Sequence, residues 1–156
     1  MPKYPLEPLA ALRARRAEAA ALELAGAIRD REAAARTLRV AELRRDGHAR
    51  VVSAVRGAER DALGRGELCA RDLARADAWG IRAALERQLL AGAVGRAETA
   101  AASASAHERE AQEAVASRRA DAHVVAGHRA RWNEGERRRV EAREEEASSE
   151  AWRPKH

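Results

Sequence analysis

At 156 residues, 35% of them charged and with a formal net charge of +5, the chain has room for one domain or one elongated element. Its 46% hydrophobic content is mostly alanine, about a quarter of the whole, with Phe absent and a single Tyr. That composition argues against a thick globular core, because alanine buries little area, and matches a coiled coil built from strong helix formers. No apolar run approaches the about 18 residues of a transmembrane helix. The opening has no apolar signal-peptide core, because Leu9, Leu12 and Leu22 are interrupted by Arg13, Arg15, Arg16 and Glu18. One cysteine, Cys69, permits no internal disulfide, and a cytosolic protein is expected.

The charge is unevenly placed. Residues 1–60 carry 13 Lys+Arg against 8 Asp+Glu, whereas residues 61–156 carry 17 of each. The whole positive excess therefore falls on the first half.

Pro5 and Pro8 suit an extended lead-in and a first helical turn, where a missing N–H is tolerated. No further proline occurs until Pro154. A first helix is predicted over about 6–63. One heptad position reads Ala10, Ala17, Leu24, Arg31, Leu38, Arg45, Val52, and another reads Ala20, Ala27, Ala34, Ala41, His48, Val55, Ala62. This is a narrow two-per-seven seam of small residues, from which Arg31 and Arg45 can snorkel. Glycine favours the left-handed conformation that ends helices, so the turn is placed at about 64–67, at Gly64 and Gly66.

A second helix is predicted over about 68–148, with a frayed tail at 149–156. Its seam positions read Leu73, Gly80, Arg87, Val94, Ala101, Glu108, Val115, Ala122 and Ala76, Ala83, Leu90, Ala97, Ala104, Ala111, Arg118, Val125, Trp132. Gly92–Gly95 is the expected kink, or a rival site for the turn. The fold class is thus all-α, a long two-helix antiparallel coiled-coil hairpin. A tip near residue 65 makes opposed residue numbers add to about 131. Val52 then meets Trp79, Leu38 meets Ala93, Leu6 meets Val125, and everything past about Gly127 overhangs.

Catalytic, cofactor and metal constellations are not visible. Gly64-Arg65-Gly66 lacks the third glycine and preceding strand of a phosphate loop, and His107-Glu108-Arg109-Glu110 lacks the second histidine of a zincin. His123 and His128 are not spaced to share a helix face. All five histidines read as surface groups, and Cys69 as an inert small apolar residue. The Arg-rich segment from Arg129 to Arg143 reads as a solvated face, with Glu134, Glu136, Glu141 and Glu144 as helical partners. A nucleic-acid surface would concentrate positive charge more strongly. Trp132 either packs on Tyr4 and Pro5 or makes an intermolecular contact, and Trp152 has no intramolecular partner that the sequence suggests.

The opening Tyr4-Pro5-Leu6-Glu7-Pro8-Leu9 with Leu12-Arg13 resembles the start of the FliJ/YscO (SctO) proteins of bacterial type III export systems. Leu63-Gly64-Arg65 followed by Arg71-Asp72-Leu73 resembles that family's hairpin turn. His128-Arg129-Ala130-Arg131-Trp132, with the Glu/Arg-rich tail and Ala151-Trp152, resembles its C-terminus. The resemblance implies a non-enzymatic stalk, similar to that of rotary ATPases, without a cofactor. Such a stalk inserts into the hexameric export ATPase and engages the export-gate membrane protein, and some members also bind secretion chaperones. It implies a cytoplasmic location, peripheral to the membrane-embedded apparatus, with no membrane insertion and no nucleic acid.

On this reading the ATPase-facing residues are Tyr4, Leu6, Leu9, Arg13, Arg15 and Arg16 on the first helix. Arg129, Arg131, Trp132 and Arg137 join them on the second. A gate-facing surface is assigned to Arg71, Asp72, Arg75, Trp79 and Arg82. The interior glycines and seam arginines depart from the family's pattern. A basic helical nucleic-acid-binding protein and a generic coiled-coil adaptor are the alternatives.

Overall fold

A computed structural model describes residues 3–152. Two helices, α1 (Glu7–Gly64) and α2 (Ala70–Ala151), pack against each other, and no strand occurs among the described residues. The helical hairpin expected from the heptads is the fold. Strong helix formers explain the unbroken runs, and the alternation of small and charged residues explains why each helix needs the other.

The connection is one residue longer and lies later than expected. Gly64 stays helical, and the turn occupies residues 65–69. Gly66 adopts φ +70°, the left-handed conformation that a Cβ disfavours. Its N–H donates to the Leu63 carbonyl at 3.0 Å, and the Glu67 N–H donates to the Ala62 carbonyl at 3.0 Å. These two bonds form a Schellman cap, which satisfies carbonyls the helix end would otherwise leave open. Arg65 and Glu67 close the turn with paired contacts of 2.7 and 3.0 Å.

Cys69 then caps α2. Its backbone N–H donates to Asp72 Oδ2 at 3.1 Å and its thiol to the same oxygen at 2.9 Å. The exposed thiol thus donates to the capping carboxylate of Asp72, where an inert small apolar residue was expected. Helix α2 runs through Gly92 and Gly95 without interruption and on to Ala151. Residues 149–151 are therefore helical, while residues 153–156 of the expected tail lie outside the described residues.

The helices are shared by two compact units. The chain-end unit comprises Met1–Ala25 and Arg109–His156, and the tip unit comprises Gly26–Glu108. In the chain-end unit the buried apolar residues are Tyr4, Ala20, Ala111, Val115 and Val125. In the tip unit they are Ala27, Ala83, Val94 and Ala97. All but Tyr4 fall on the predicted seam rows.

Register departs from the expected value. In the chain-end unit Tyr4–His128, Arg13–Asp121 and Glu7–Arg129 give opposed numbers adding to between 132 and 136. In the tip unit His48–Ala83 and Arg31–Glu108 give 131 and 139. The centre is near 135, because the turn's midpoint lies at residue 67. Accordingly Val52 lines a groove with Ala83 and Ala84, and not with Trp79.

Candidate interaction site

Pro5 and Pro8 hold the lead-in so that the Glu7 N–H donates to the Tyr4 carbonyl at 3.2 Å and the Ala10 N–H to the Leu6 carbonyl at 2.9 Å. This first turn folds Tyr4 back onto α2, where it is 6% exposed. Its hydroxyl is hydrogen-bonded to His128 Nδ1 at 2.7 Å. Its ring lies 5.7 Å from the His128 ring and 5.5 Å from that of Trp132, tilted 44° and 60°. Tilted aromatic pairs at such distances are favourable beyond the area they bury.

Trp132 therefore has an intramolecular partner and is half-buried. Of the two alternatives from sequence, packing on Tyr4 is the one observed. Helix α2 passes the start of α1 near Arg129, which pairs with Glu7, and beyond it the lead-in residue Tyr4 covers α2 as far as Trp132.

Around this cluster the chain-end unit is ionic. Glu7 pairs with Arg129 at 3.2 Å. Arg13 donates to the Asp121 backbone carbonyl at 2.9 Å, with the carboxylate 4.0 Å away. Leu9, Arg13, Arg16, Arg118 and Asp121 line one shallow groove between the helices. Leu6 and Leu9 are 39% and 36% exposed. Arg15, Arg16 and Arg131 make no ion pair among the described residues.

Arg137 does not share in this surface. It pairs with Glu134, which Arg138 also contacts at 3.2 Å, and Arg139 pairs with Glu136. The structure thus brings Tyr4, Trp132, Leu9, Arg13, Arg16 and Arg129 into cross-helix contacts and grooves. It leaves Arg15 and Arg131 without an ion pair among the described residues and engages Arg137 within its own helix.

Three residues join that were not selected. His128 holds the Tyr4 hydroxyl, Asp121 anchors Arg13, and Arg118 leaves the predicted seam for the groove. Only His128 had a usable signal, since the predicted register already put it near Tyr4.

The tip unit treats its assigned residues differently. Asp72 is the cap of α2, and the Cys69 thiol, then the Cys69 N–H, hold its carboxyl below the usual carboxylate range, with Arg75 adding to this. Its role is local. Trp79 is half-buried and lines an open groove with Arg56, Arg60, Leu63 and Ile81. Arg71, Arg75 and Arg82 are exposed and make no ion pair among the described residues. Ile81, Leu85 and Leu89, one helical turn apart, are 66%, 57% and 73% exposed, an apolar row none of whose residues was singled out as gate-facing.

His48 corrects the expectation that every histidine lies on the surface. Its side chain is 12% exposed, with Nε2 donating to the Ala83 carbonyl at 3.0 Å and Nδ1 3.6 Å from Glu86. Seam burial overrides its polarity because both nitrogens face acceptors on α2.

No group of three or more potential ligands among the described residues could hold a metal ion. Likewise, no helix among them is long and apolar enough to cross a membrane. No family model matches the chain, nor does any curated protein or solved structure.

Proposed function

We propose that the chain is a non-enzymatic stalk of the FliJ/YscO type, working in the cytoplasm at a membrane-embedded type III export apparatus. The observation that carries this reading is the chain-end unit. There an aromatic cluster fastens the lead-in of α1 to α2, and cationic side chains line open grooves beside it. Charged rims of that kind favour fast, salt-sensitive contact with a protein partner over tight locking.

The partner of this end is the hexameric export ATPase, whose assembly or activity the stalk promotes. A second contact, with the export-gate membrane protein, lies on the early part of α2. The exposed Ile81, Leu85 and Leu89 beside Arg71, Arg75 and Arg82 support that contact, because spaced apolar anchors are how a helix enters a partner's groove. Secretion chaperones are further partners of the same assembly.

Mixing the protein with the ATPase and following turnover and hexamer formation tests the reading. Stimulation is expected, and it should weaken when Arg13, Arg15 and Arg16 become Ala at unchanged helicity. No effect at stoichiometric excess would remove the proposal. Tight polyanion binding at physiological salt, with a slope of several counterions, would replace it with the nucleic-acid reading.

A further inference from the structure

The back of α2 in the tip unit carries an apolar row with no role inside the hairpin. Ala83, Val94 and Ala97 are buried in the seam. Ile81, Leu85 and Leu89 lie on the opposite face, 66%, 57% and 73% exposed. Ala78 and Gly92 extend the row at its two ends and are exposed as well. A helix repeats its faces every three or four residues, so all five positions share one stripe. Helix α1 packs on the other face and leaves this stripe uncovered.

A contiguous exposed apolar stripe marks an interaction surface, whereas a scattered leucine does not. Leu22, 74% exposed with no large apolar residue one turn away, is of the second kind. The spacing of the row identifies what fits it. Outward from Leu85 the steps are four residues and then three in both directions, to Ile81 and Ala78 on one side and to Leu89 and Gly92 on the other. A second copy of the stripe, turned end for end about Leu85, therefore matches it at every step. Leu85 meets its own counterpart, Ile81 meets Leu89, and Ala78 meets Gly92. Such a two-fold contact uses one patch on both copies.

Charge agrees with this alignment. Arg82 and Glu86 stand on one flank of the row, both exposed. The end-for-end turn keeps like flanks together, so it brings Arg82 of each copy within a helical turn of Glu86 of the other. Arg82 makes no ion pair among the described residues. The Glu86 side chain, 3.6 Å from His48 Nδ1, is still 63% exposed. A parallel pair would exchange the flanks and separate these charges. Complementary charges at the rim of a contact select the alignment that pairs them.

We infer that the row at Ile81, Leu85 and Leu89 is covered in the free protein by a second copy of the chain, in an antiparallel two-fold contact centred on Leu85. Three large side chains per copy make a small interface, of the transient class below about 1,200 Å². Association is therefore reversible, and a partner helix that docks on the same row must first displace the copy. The contact stands whether or not the chain is a stalk.

Sedimentation of the full chain over a range of concentrations tests this. A reversible monomer–dimer equilibrium is expected. Leu85→Glu, which sets two carboxylates face to face on the two-fold axis, should weaken it by about tenfold at unchanged helicity. Leu22→Glu, at a still more exposed leucine off the row, should leave it unaltered. Arg82→Glu alone should weaken association, and Arg82→Glu/Glu86→Arg should recover it. In a Cys69→Ser background, oxidation should join Leu85→Cys to itself. It should also join Ile81→Cys to Leu89→Cys in a mixture faster than either to itself.

A wild-type chain monomeric up to about 1 mM, a concentration that detects even millimolar affinity, would overturn the inference and leave the row to a helix of another protein. Self-association that Leu85→Glu leaves unchanged would overturn it too. So would Ile81→Cys joining mainly to itself, the mark of a parallel pair.

Discussion

In the chain-end unit Tyr4 is the largest buried side chain, set against His128 and Trp132, whereas the tip unit buries only Ala27, Ala83, Val94 and Ala97. One end is fastened by a few bulky groups, and the other by repeated small ones with polar groups at Arg31, His48 and Glu108. The contrast separates two jobs. Alanine lets two backbones approach closely along a seam but contributes little area per contact, at about 25 cal/mol per Å² of apolar surface buried. An aromatic contributes much area at one place and tolerates few alternatives.

The sharpest way to break the contrast is at Tyr4. Tyr4→Ala should lower stability by about 3 kcal/mol, as for other aromatic-to-alanine changes at buried positions. Thermal unfolding followed by circular dichroism measures it. In a Trp79→Phe/Trp152→Phe background the emission of Trp132 should shift to the red. Tyr4→Phe keeps the ring and removes the hydroxyl from His128, for a loss of about 1 kcal/mol. Equal effects of the two variants would mean that the hydrogen bond, and not the ring packing, fastens this end.

In the tip unit backbone effects should exceed side-chain ones. Gly66→Ala forces a Cβ into the left-handed region at the Schellman cap and should destabilise by about 1–2 kcal/mol. Gly95→Ala should stabilise by about 1 kcal/mol, because Gly95 is helical and a Cβ there meets nothing within 4 Å. Opposite signs from two glycine-to-alanine changes in one unit are the expected denaturation result. Matching signs would show that the cap geometry does not govern the turn.

The smallest effect concerns Asp72. Its folded carboxyl is held below the ordinary range by the Cys69 thiol and N–H. The stability it contributes is therefore present above the ordinary carboxylate pKa and lost as pH falls through the lower folded value. Asp72→Asn should lower thermal stability at neutral pH, and the difference from wild type should shrink as pH falls through the lowered folded value. A difference unchanged across that range would show that the carboxylate charge is not what caps α2.

Particular residues show how far the chain could be read unaided. The heptad rows identified Ala20, Ala27, Ala83 and Ala97 as seam positions because a helix repeats its faces regularly, whatever lies opposite. Trp132 could be narrowed only to two partners, since its neighbour Tyr4 lies 128 positions away and precedes the first helix. Gly64 and Gly66 marked the turn, yet propensity does not say which glycine takes the left-handed conformation. That ambiguity displaced the register by about four. His48 and Cys69 were read as ordinary surface and filler residues, because their hydrogen-bond acceptors become visible only once Ala83 and Asp72 are placed.

Composition and periodicity by themselves determined two alanine-seamed helices, one turn, a basic first half and the seam's buried members, although the predicted seam residues Val55, Leu73 and Arg118 are exposed. These follow from local backbone preference and the helical repeat, which each stretch carries within itself. Tertiary structure alone decided the alignment of the helices and the fastening of Tyr4 on His128 and Trp132. It also decided which arginines are paired and which stand free. An alanine repeat is the same after every heptad, so alignment comes from where the capped turn closes and from unlike side chains, such as Tyr4 and Trp132, that meet across the helices.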